Sequence, residues 1–158
     1  METHSADIGE LLAQAARLWT QALGRRLRDL GVLPGQAAVL RLLWEQDGRT
    51  QAELRRLAGV EQPTMAKTLQ RMVRDGLVRR DPDPADRRKR RVFLAAKALE
   101  LRAALSLAEK DLEATALAGF TDEDQERLAR LLTALGSGLR ADLNEGALVL
   151  LDVVAEEG

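Results

Sequence analysis

Residues 62–94 read QPTMAKTLQRMVRDGLVRRDPDPADRRKRRVFL. The apolar residues in the first half of this stretch recur at the spacing of one helical face: Met65, Leu69, Met72 and Val73. That period predicts an amphipathic helix over residues 63–75, with these side chains packed inward. Pro63 suits the first helical position, where its missing N–H is not needed, and Gly76 ends the helix.

The opposite face of this predicted helix is polar and carries no carboxylate in its first two turns. Its side chains are able to reach base edges and phosphates, and they are Gln62, Thr64, Lys67, Thr68, Arg71 and Arg74. Such a helix, placed after a short supporting helix and a turn, is typical of proteins that read the major groove of DNA. A polar outer face is also the ordinary condition of any surface helix, so this helix by itself leaves both interpretations open.

The second half of the stretch predicts a β-hairpin with a basic tip. A short strand over 77–80 leads into a polar loop, and the chain returns through Arg87–Arg91 into the apolar residues 92–94. Five consecutive cations repel one another, which indicates a polyanionic partner such as the minor groove of DNA. The alternative is a loop that only aids solubility. Asp86 is placed to orient Arg88 through an ion pair. The predicted contact residues of the tip are Asp86, Arg87, Arg88, Lys89 and Arg90.

Upstream of this stretch, residues 50–53 read TQAE, a capping box that predicts a short helix from Gln51 to about Ala58. Gly59 then supplies a turn before Pro63, so two helices separated by a few residues are expected. Two more helices are predicted before them by their apolar periods and flanking turn residues, over residues 8–30 and 36–46.

Downstream, apolar residues from Leu94 to Thr115 are spaced alternately four and three apart, which predicts a packed helix over 95–118. Thr121, followed by three acidic residues, caps another helix with an apolar stripe at Leu128, Leu131, Leu132, Leu135 and Leu139. The helical signal weakens beyond residues 136–138, and residues 146–158 fit either a continuing helix or an ordered tail. These stripes exceed what one small winged domain can cover, which indicates a partner chain.

The composition narrows the class of protein. The 158 residues are 46% hydrophobic and 31% charged, which predicts one soluble folding unit rich in helix. The absence of cysteine excludes disulfides, thiolate metal sites and cysteine redox sensing. The net charge is −1, yet residues 63–91 hold ten Lys and Arg against four Asp, a local +6 that leaves −7 for the rest. The chain shows no leader pattern and no apolar run longer than Ala147–Leu151, so a cytoplasmic protein without a membrane segment is expected.

The stretch from Leu33 to about Leu105 resembles the MarR family of bacterial transcriptional regulators. The segments that carry the resemblance are Gln51–Leu54, Gln62–Met65, Asp75–Arg80 and Asp86–Arg88. The resemblance implies a homodimer whose first and last helices intertwine, with each recognition helix in a major groove and each wing in the flanking minor groove. By position it carries contact roles to Pro63, Thr64, Lys67, Thr68, Arg71, Asp86 and Arg88. One departure is that residues 94–98 read LAAKA where the family usually has Leu-Thr-x-x-Gly, so a threonine cap is missing.

Together these features predict a mainly α fold with a small β-hairpin wing, made of a winged helix-turn-helix DNA-binding region and a helical dimerisation region. We expect a single MarR-type domain over 1–158, with the DNA-binding region at 33–94 and dimerisation helices at 1–32 and 95–158. The predicted function is that of a ligand-responsive repressor, a homodimer that binds a near-palindromic operator in double-stranded DNA. The alternative is a winged-helix module that binds protein or RNA without operator specificity.

The resemblance also implies an effector, a small aromatic or anionic molecule held between the two regions. Residues of the type that line such a pocket are Trp19, Arg17, Arg26, Trp44 and Phe93. Both tryptophans lie on apolar stripes, which is more typical of core residues. The sequence leaves open the identity of the effector, the target genes and the choice between repression and activation.

An enzyme is not expected from this sequence. The lone histidine, His4, lies in the N-terminal segment, and the chain has no nucleophile set, phosphate-binding loop or metal-ligand spacing. No cofactor or metal is therefore predicted.

Overall fold

The computed structural model describes residues 7–156, with side chains as far as residue 143. The helices are α1 (Ile8–Leu27), α2 (Pro34–Glu45), α3 (Gln51–Ala58), α4 (Gln62–Arg74), α5 (Ala96–Ala116) and α6 (Asp122–Glu156), with a 3-10 turn at Arg28–Leu30. The strands are β1 (Arg49–Thr50), β2 (Val78–Pro82) and β3 (Arg90–Leu94). The predicted mainly α fold with a small wing is confirmed. His4 lies outside the described residues.

The described residues up to Glu113 form one compact unit, and those from Ala114 onward form another. The first unit contains the helix-turn-helix and the wing, and the second contains α6. The assignment of one MarR-type domain with separate DNA-binding and dimerisation regions stays a prediction.

The helix-turn-helix forms where its capping signals predicted it. The Thr50 hydroxyl accepts the N–H of Glu53 at 3.2 Å, and the Glu53 carboxylate accepts the N–H of Thr50 at 2.7 Å. This capping box starts α3 as predicted, and Gly59 ends the helix in the left-handed conformation with φ 65°. The recognition helix α4 begins at Gln62, one residue before the predicted start, and keeps Pro63 in its first turn.

The first two helices differ from their predicted bounds at the turn that joins them. The helix predicted over 8–30 is regular only to Leu27 and tightens into the 3-10 turn before Gly31. Helix α2 begins at Pro34, two residues earlier than predicted, because proline at the start of a helix needs no N–H. The Gln36 Oε1 atom caps the same turn by accepting the N–H of Leu33 at 3.0 Å.

Asp75, the residue that follows the last residue of α4, is bonded to two other helices. Gln36 of α2 is 2% exposed, and its Nε2 donates to Asp75 Oδ2 at 3.1 Å. Lys97 of α5 donates from Nζ to the Asp75 carbonyl at 3.0 Å. Hydrogen bonds from Arg74 and then Gln36 lower the pKa of the Asp75 carboxyl, so it stays charged at neutral pH. The end of the recognition helix is thereby fixed to α2 and α5.

The strands form an antiparallel sheet in the order β1-β3-β2. Strands β2 and β3 pair along their whole length, from Val78 with Leu94 to Pro82 with Arg90, and residues 83–89 form the loop at the tip. The sequence predicted this hairpin but not β1, which pairs with β3 from the other side. A strand of two residues is too short to show a period of its own.

The core of the first unit is built mainly from leucine, methionine and valine. Its largest buried side chains are Leu27, Leu40, Leu43, Leu54, Met65, Leu69, Met72, Leu77, Leu105, Gln36, Val39 and Val92. The prediction that Val73 packs inward is wrong, because this residue lies about 100° around the helix from Met72 and is 43% exposed. The expectation that Trp19 is a core residue is also wrong for the single chain, since this side chain is 42% exposed on a fully exposed part of α1.

Helix α5 buries only part of the apolar stripe that was predicted from Leu94 to Thr115. Ala98, Leu105 and Leu112 are buried, while Thr115 near its end is exposed. None of the helices in the described part of the chain is long and apolar enough to cross a membrane.

Helix α6 begins at the predicted cap, where the Thr121 hydroxyl donates to Asp124 Oδ2 at 2.7 Å and accepts the Asp124 N–H at 3.2 Å. The expected weakening at 136–138 does not end the helix, because glycine lowers helix stability without forbidding the conformation. The backbone continues as helix to Glu156, which settles the open alternative for 146–156, and residues 157–158 lie outside the described part. Several leucines of α6 are exposed: Leu131, Leu132, Leu135, Leu139 and Leu143.

Candidate nucleic-acid interface

The outer face of α4 presents the polar residues that the sequence singled out. Gln62, Pro63, Thr64, Lys67, Arg71 and Arg74 are exposed, and Thr68 is half-buried. Lys67, Arg71 and Arg74 line one shallow depression together with Gln70, which the sequence analysis did not select. The Arg74 Nε atom donates to Asp75 Oδ1 at 3.0 Å, so this arginine is already held at the end of the helix. Three cations therefore share one open side of the recognition helix.

The start of the recognition helix and the tip of the wing meet in one cleft. The cleft is lined by Gln62 of α4, by Arg88, Lys89 and Arg90 of the hairpin, and by Thr50, Gln51 and Ala52 at the start of α3. The helix-turn-helix and the basic hairpin thus face the same region, which is the arrangement needed to grip neighbouring grooves of one duplex. Gln51 and Ala52 were not predicted as site residues, although their position at the cap of α3 was known from the sequence.

The ion pair predicted in the wing is present. The Arg88 Nε atom donates to Asp86 Oδ1 at 3.1 Å, and the Arg88 backbone N–H donates to the same oxygen at 3.1 Å. These two bonds, the side-chain bond first, lower the pKa of the Asp86 carboxyl and keep it ionised at neutral pH. The Arg88 side chain is 92% exposed and projects into solvent beside the Asp86 carboxylate with which it pairs.

Arg91, the last cation of the five, does not belong to the exposed tip. Its Nε donates to Asp83 Oδ2 at 2.8 Å, and its Nη1 donates to the Gly48 carbonyl at 2.9 Å. The argument that all five cations need an external anion is therefore wrong for Arg91, because the fold supplies its partner. Arg87 to Arg90 remain as exposed cations of the hairpin.

The five residues suggested for an effector pocket have different surroundings in this chain. Arg17 and Trp19 are exposed on α1, and Arg26 pairs with Asp111 at 2.8 Å. Phe93 lies under the Arg79 guanidinium, 4.7 Å from the ring centroid. Trp44, the remaining member of the set, lines a pocket.

That pocket lies between α2 and α5 and is lined by Arg41, Trp44, Glu45, Arg102, Ser106 and Glu109. The Arg102 guanidinium carbon is 5.9 Å from the Trp44 ring centroid, and Arg41 Nη1 is 3.3 Å from Glu109 Oε1. The Trp44 Nε1 atom is buried and has no hydrogen-bond partner. The sequence carried a usable signal for these residues, since 41 and 44 on α2, and 102, 106 and 109 on α5, each recur on one helical face.

A helix-turn-helix followed by a hairpin with an exposed basic tip defines the winged-helix class of DNA-binding proteins. The sequence model of the MarR family matches residues 34–89, the part of the chain that holds this interface. The chain belongs to the MarR family, whose members are transcriptional regulators and not enzymes. It is accordingly a DNA-binding transcriptional regulator.

Solved structures agree with this assignment over most of the chain. A probable transcriptional regulator from Pseudomonas aeruginosa is 31% identical with a TM-score of 0.75, over 82% of this chain and 97% of that one. A MarR transcriptional regulator from Methanosarcina mazei Go1 is 27% identical with a TM-score of 0.78, over 85% of this chain and 97% of that one. PcaV from Streptomyces coelicolor, solved with its natural ligand, is 22% identical with a TM-score of 0.70, over 85% and 93%, and shows the shared fold.

Proposed function

We propose that this protein is a ligand-responsive repressor that binds a near-palindromic operator as a homodimer. The observation that carries the proposal is the common cleft of Gln62 on the recognition helix and Arg88–Arg90 on the wing. In this arrangement, Gln62, Thr64, Lys67, Thr68 and Arg71 contact bases and phosphates in the major groove, with Pro63 at the start of the helix. Arg87–Arg90 follow the backbone into the minor groove. A repressor of this kind works where the chromosome is, so the proposal implies a cytoplasmic protein.

The exposed apolar residues support a dimer. Ile8, Leu11 and Leu18 on α1 are 73%, 51% and 56% exposed, and five leucines on one face of α6 are also exposed. Monomeric proteins rarely expose contiguous apolar stripes, and a second copy of the chain offers matching ones. Two-fold symmetry then sets two recognition helices about 34 Å apart, one DNA turn, which requires a near-palindromic operator.

The pocket between α2 and α5 is our proposed effector site. Arg41 and Arg102 lie beside the carboxylates of Glu45 and Glu109, and the Trp44 ring offers a flat apolar surface. These groups suit a small aromatic molecule with polar substituents, and PcaV, a protein of the same fold, is known with its natural ligand. Such a ligand releases the operator only if it binds more tightly to a dimer whose recognition helices misfit DNA.

The test starts with genomic DNA fragments selected by the purified protein, followed by fluorescence anisotropy on the best fragment. We expect the affinity for duplex DNA to fall steeply as salt rises, since each phosphate contact releases counterions. Arg71→Ala should change the ranking of operator variants, whereas Arg88→Ala should weaken binding mainly through the flanking base pairs.

Two results would contradict the proposal. If both substitutions lowered the affinity equally for every DNA sequence, the recognition helix and the wing would not have the separate roles proposed here. Affinity that ignored salt, or that was higher for single-stranded RNA, would favour the alternative of an RNA- or protein-binding winged helix.

A further inference from the structure

Where the two strands of the wing meet the tip loop, Asp83 and Arg91 form an ion pair that the contact surface does not use. Asp83 is 4% exposed, and its carboxylate accepts the Ala85 N–H at 2.8 Å and the Arg91 Nε at 2.8 Å. The backbone N–H of Asp83 donates to the Lys89 carbonyl at 3.0 Å, across the loop. The Ala85 N–H, followed by Arg91, lowers the pKa of this carboxyl, so the pair is fully charged at neutral pH.

Arg91 also reaches out of the hairpin. Its Nη1 donates to the carbonyl of Gly48, in the turn between α2 and β1. Asp47 of the same turn accepts the backbone N–H of Leu94 at 2.9 Å. The hairpin is therefore fastened to the front of the helix-turn-helix at both ends of β3, and Arg91 is the side chain that joins the tip loop to that turn.

We propose that Arg91 is a positioning residue, which sets the direction of the wing relative to the recognition helix without touching DNA. This inference rests on the proposed operator binding. A two-stranded hairpin by itself is only marginally stable, and β1 adds just two paired residues to this one. The planar guanidinium suits the task because it donates to Asp83 and to Gly48 at the same time, which the single ammonium of lysine does less well.

The decisive variant is Asp83→Asn, because its charge effect and its positional effect have opposite signs. The substitution raises the net charge by one, and added positive charge alone tightens binding to DNA. Arg91 loses its charged partner in this variant, so operator binding should instead weaken about tenfold. This is the loss of affinity expected when one wing contact is misplaced.

The matched control is Asp81→Asn, which changes the charge equally in the same hairpin. The Asp81 side chain pairs with Arg79, whereas the side chain of Arg91 bonds to Asp83 and Gly48. Asp81 lies opposite Arg91 in the strand pair, and the substitution leaves this backbone pairing intact. We expect this control to bind the operator as tightly as the wild type or more tightly. Circular dichroism of each variant at the temperature of the titration checks that the protein is folded.

A double substitution separates positioning from direct contact. If Arg91 acts by aiming the tip, Asp83→Asn should have a smaller effect on a protein that already carries Arg88→Ala, because one of the contacts that depend on the direction of the tip is gone. If the effects of the two substitutions multiply instead, the proposal is overturned. Should Asp83→Asn fail to fold, Arg91→Lys replaces it, since it keeps the charge and we expect a severalfold loss of affinity.

The failure of this inference and that of the proposed function are distinguishable. A wild type that does not bind duplex DNA contradicts the proposed function. A wild type that binds, with Asp83→Asn as tight as Asp81→Asn, refutes the role of Arg91 alone.

Discussion

Of the glycines in the part of the chain whose side-chain surroundings are described, Gly48 has the least room for a side chain. Its φ is 74°, and an added Cβ would lie 2.8 Å from Cε1 of Phe93. Gly31 has a similar φ of 65° but open space around the same position. We expect Gly31→Ala to lower the free energy of unfolding by about 1 kcal/mol, the cost of the left-handed conformation. Gly48→Ala should lower it by about 2 kcal/mol more, because the ring must move.

Urea unfolding of both variants at one protein concentration measures these losses. Equal losses would mean that Phe93 yields without cost. Gly31 serves as the control because it shares the backbone conformation but not the crowded ring.

Single residues also mark the limit of what the sequence could predict in the site. The pair of Asp86 and Arg88 was predictable because its members are two residues apart. The role of Arg91 was not, since its acceptors lie at Asp83 and at Gly48, the latter 43 residues away. Within a run of five cations, composition alone does not tell which side chains face solvent and which face the protein.

At the scale of elements, the capping box of α3 makes a prediction about pH. The backbone N–H and then the hydroxyl of Thr50 donate to Glu53 and lower the pKa of its carboxyl from the usual 4.5. Because the pKa is lower in the folded state, the charged carboxylate stabilises the protein at pH values above the ordinary pKa. This stabilisation is lost as the pH falls through the lowered pKa. Glu53→Gln keeps an acceptor but removes the charge, so it should lower the free energy of unfolding by about 0.5 kcal/mol at pH 7.

The difference in the free energy of unfolding between wild type and Glu53→Gln should shrink as the pH is lowered toward 3. Urea unfolding at each pH measures this difference. A difference that stays constant over this range would show that the charged carboxylate does not contribute at the cap.

Elements with strong end signals were predictable, and the others were not. The Thr50 cap and Gly59 marked α3 because they act within four residues of the chain. Strand β1 escaped detection because its two residues become a strand only by pairing with β3. Helix α6 passes Gly136 and Gly138 because two glycines only weaken a helix of 35 residues.

At the scale of the whole molecule, the exposed stripe of α6 predicts the oligomeric state. Leu139 is 52% exposed on the apolar face, and Ser137 lies on the opposite, polar side of the same turn. Leu139→Glu should weaken the dimer and, with it, the affinity for a two-half-site operator. Ser137→Glu should leave both unchanged, since it adds the same charge outside the stripe.

Sedimentation velocity over a range of protein concentrations measures the dimer directly. A monomeric wild type, or a dimer that tolerates Leu139→Glu as well as Ser137→Glu, would contradict this use of α6.

The bonds that Asp75 makes with Gln36 and Lys97 have a mechanical consequence. Because both bonds meet at one end of α4, a shift of α2 or α5 acts on the recognition helix directly at that end. Met65, Leu69 and Met72 are buried along the rest of the helix, so we expect α4 to follow such a shift as one rigid rod. A change in the separation of α2 and α5 would then alter how the whole helix is presented to the groove.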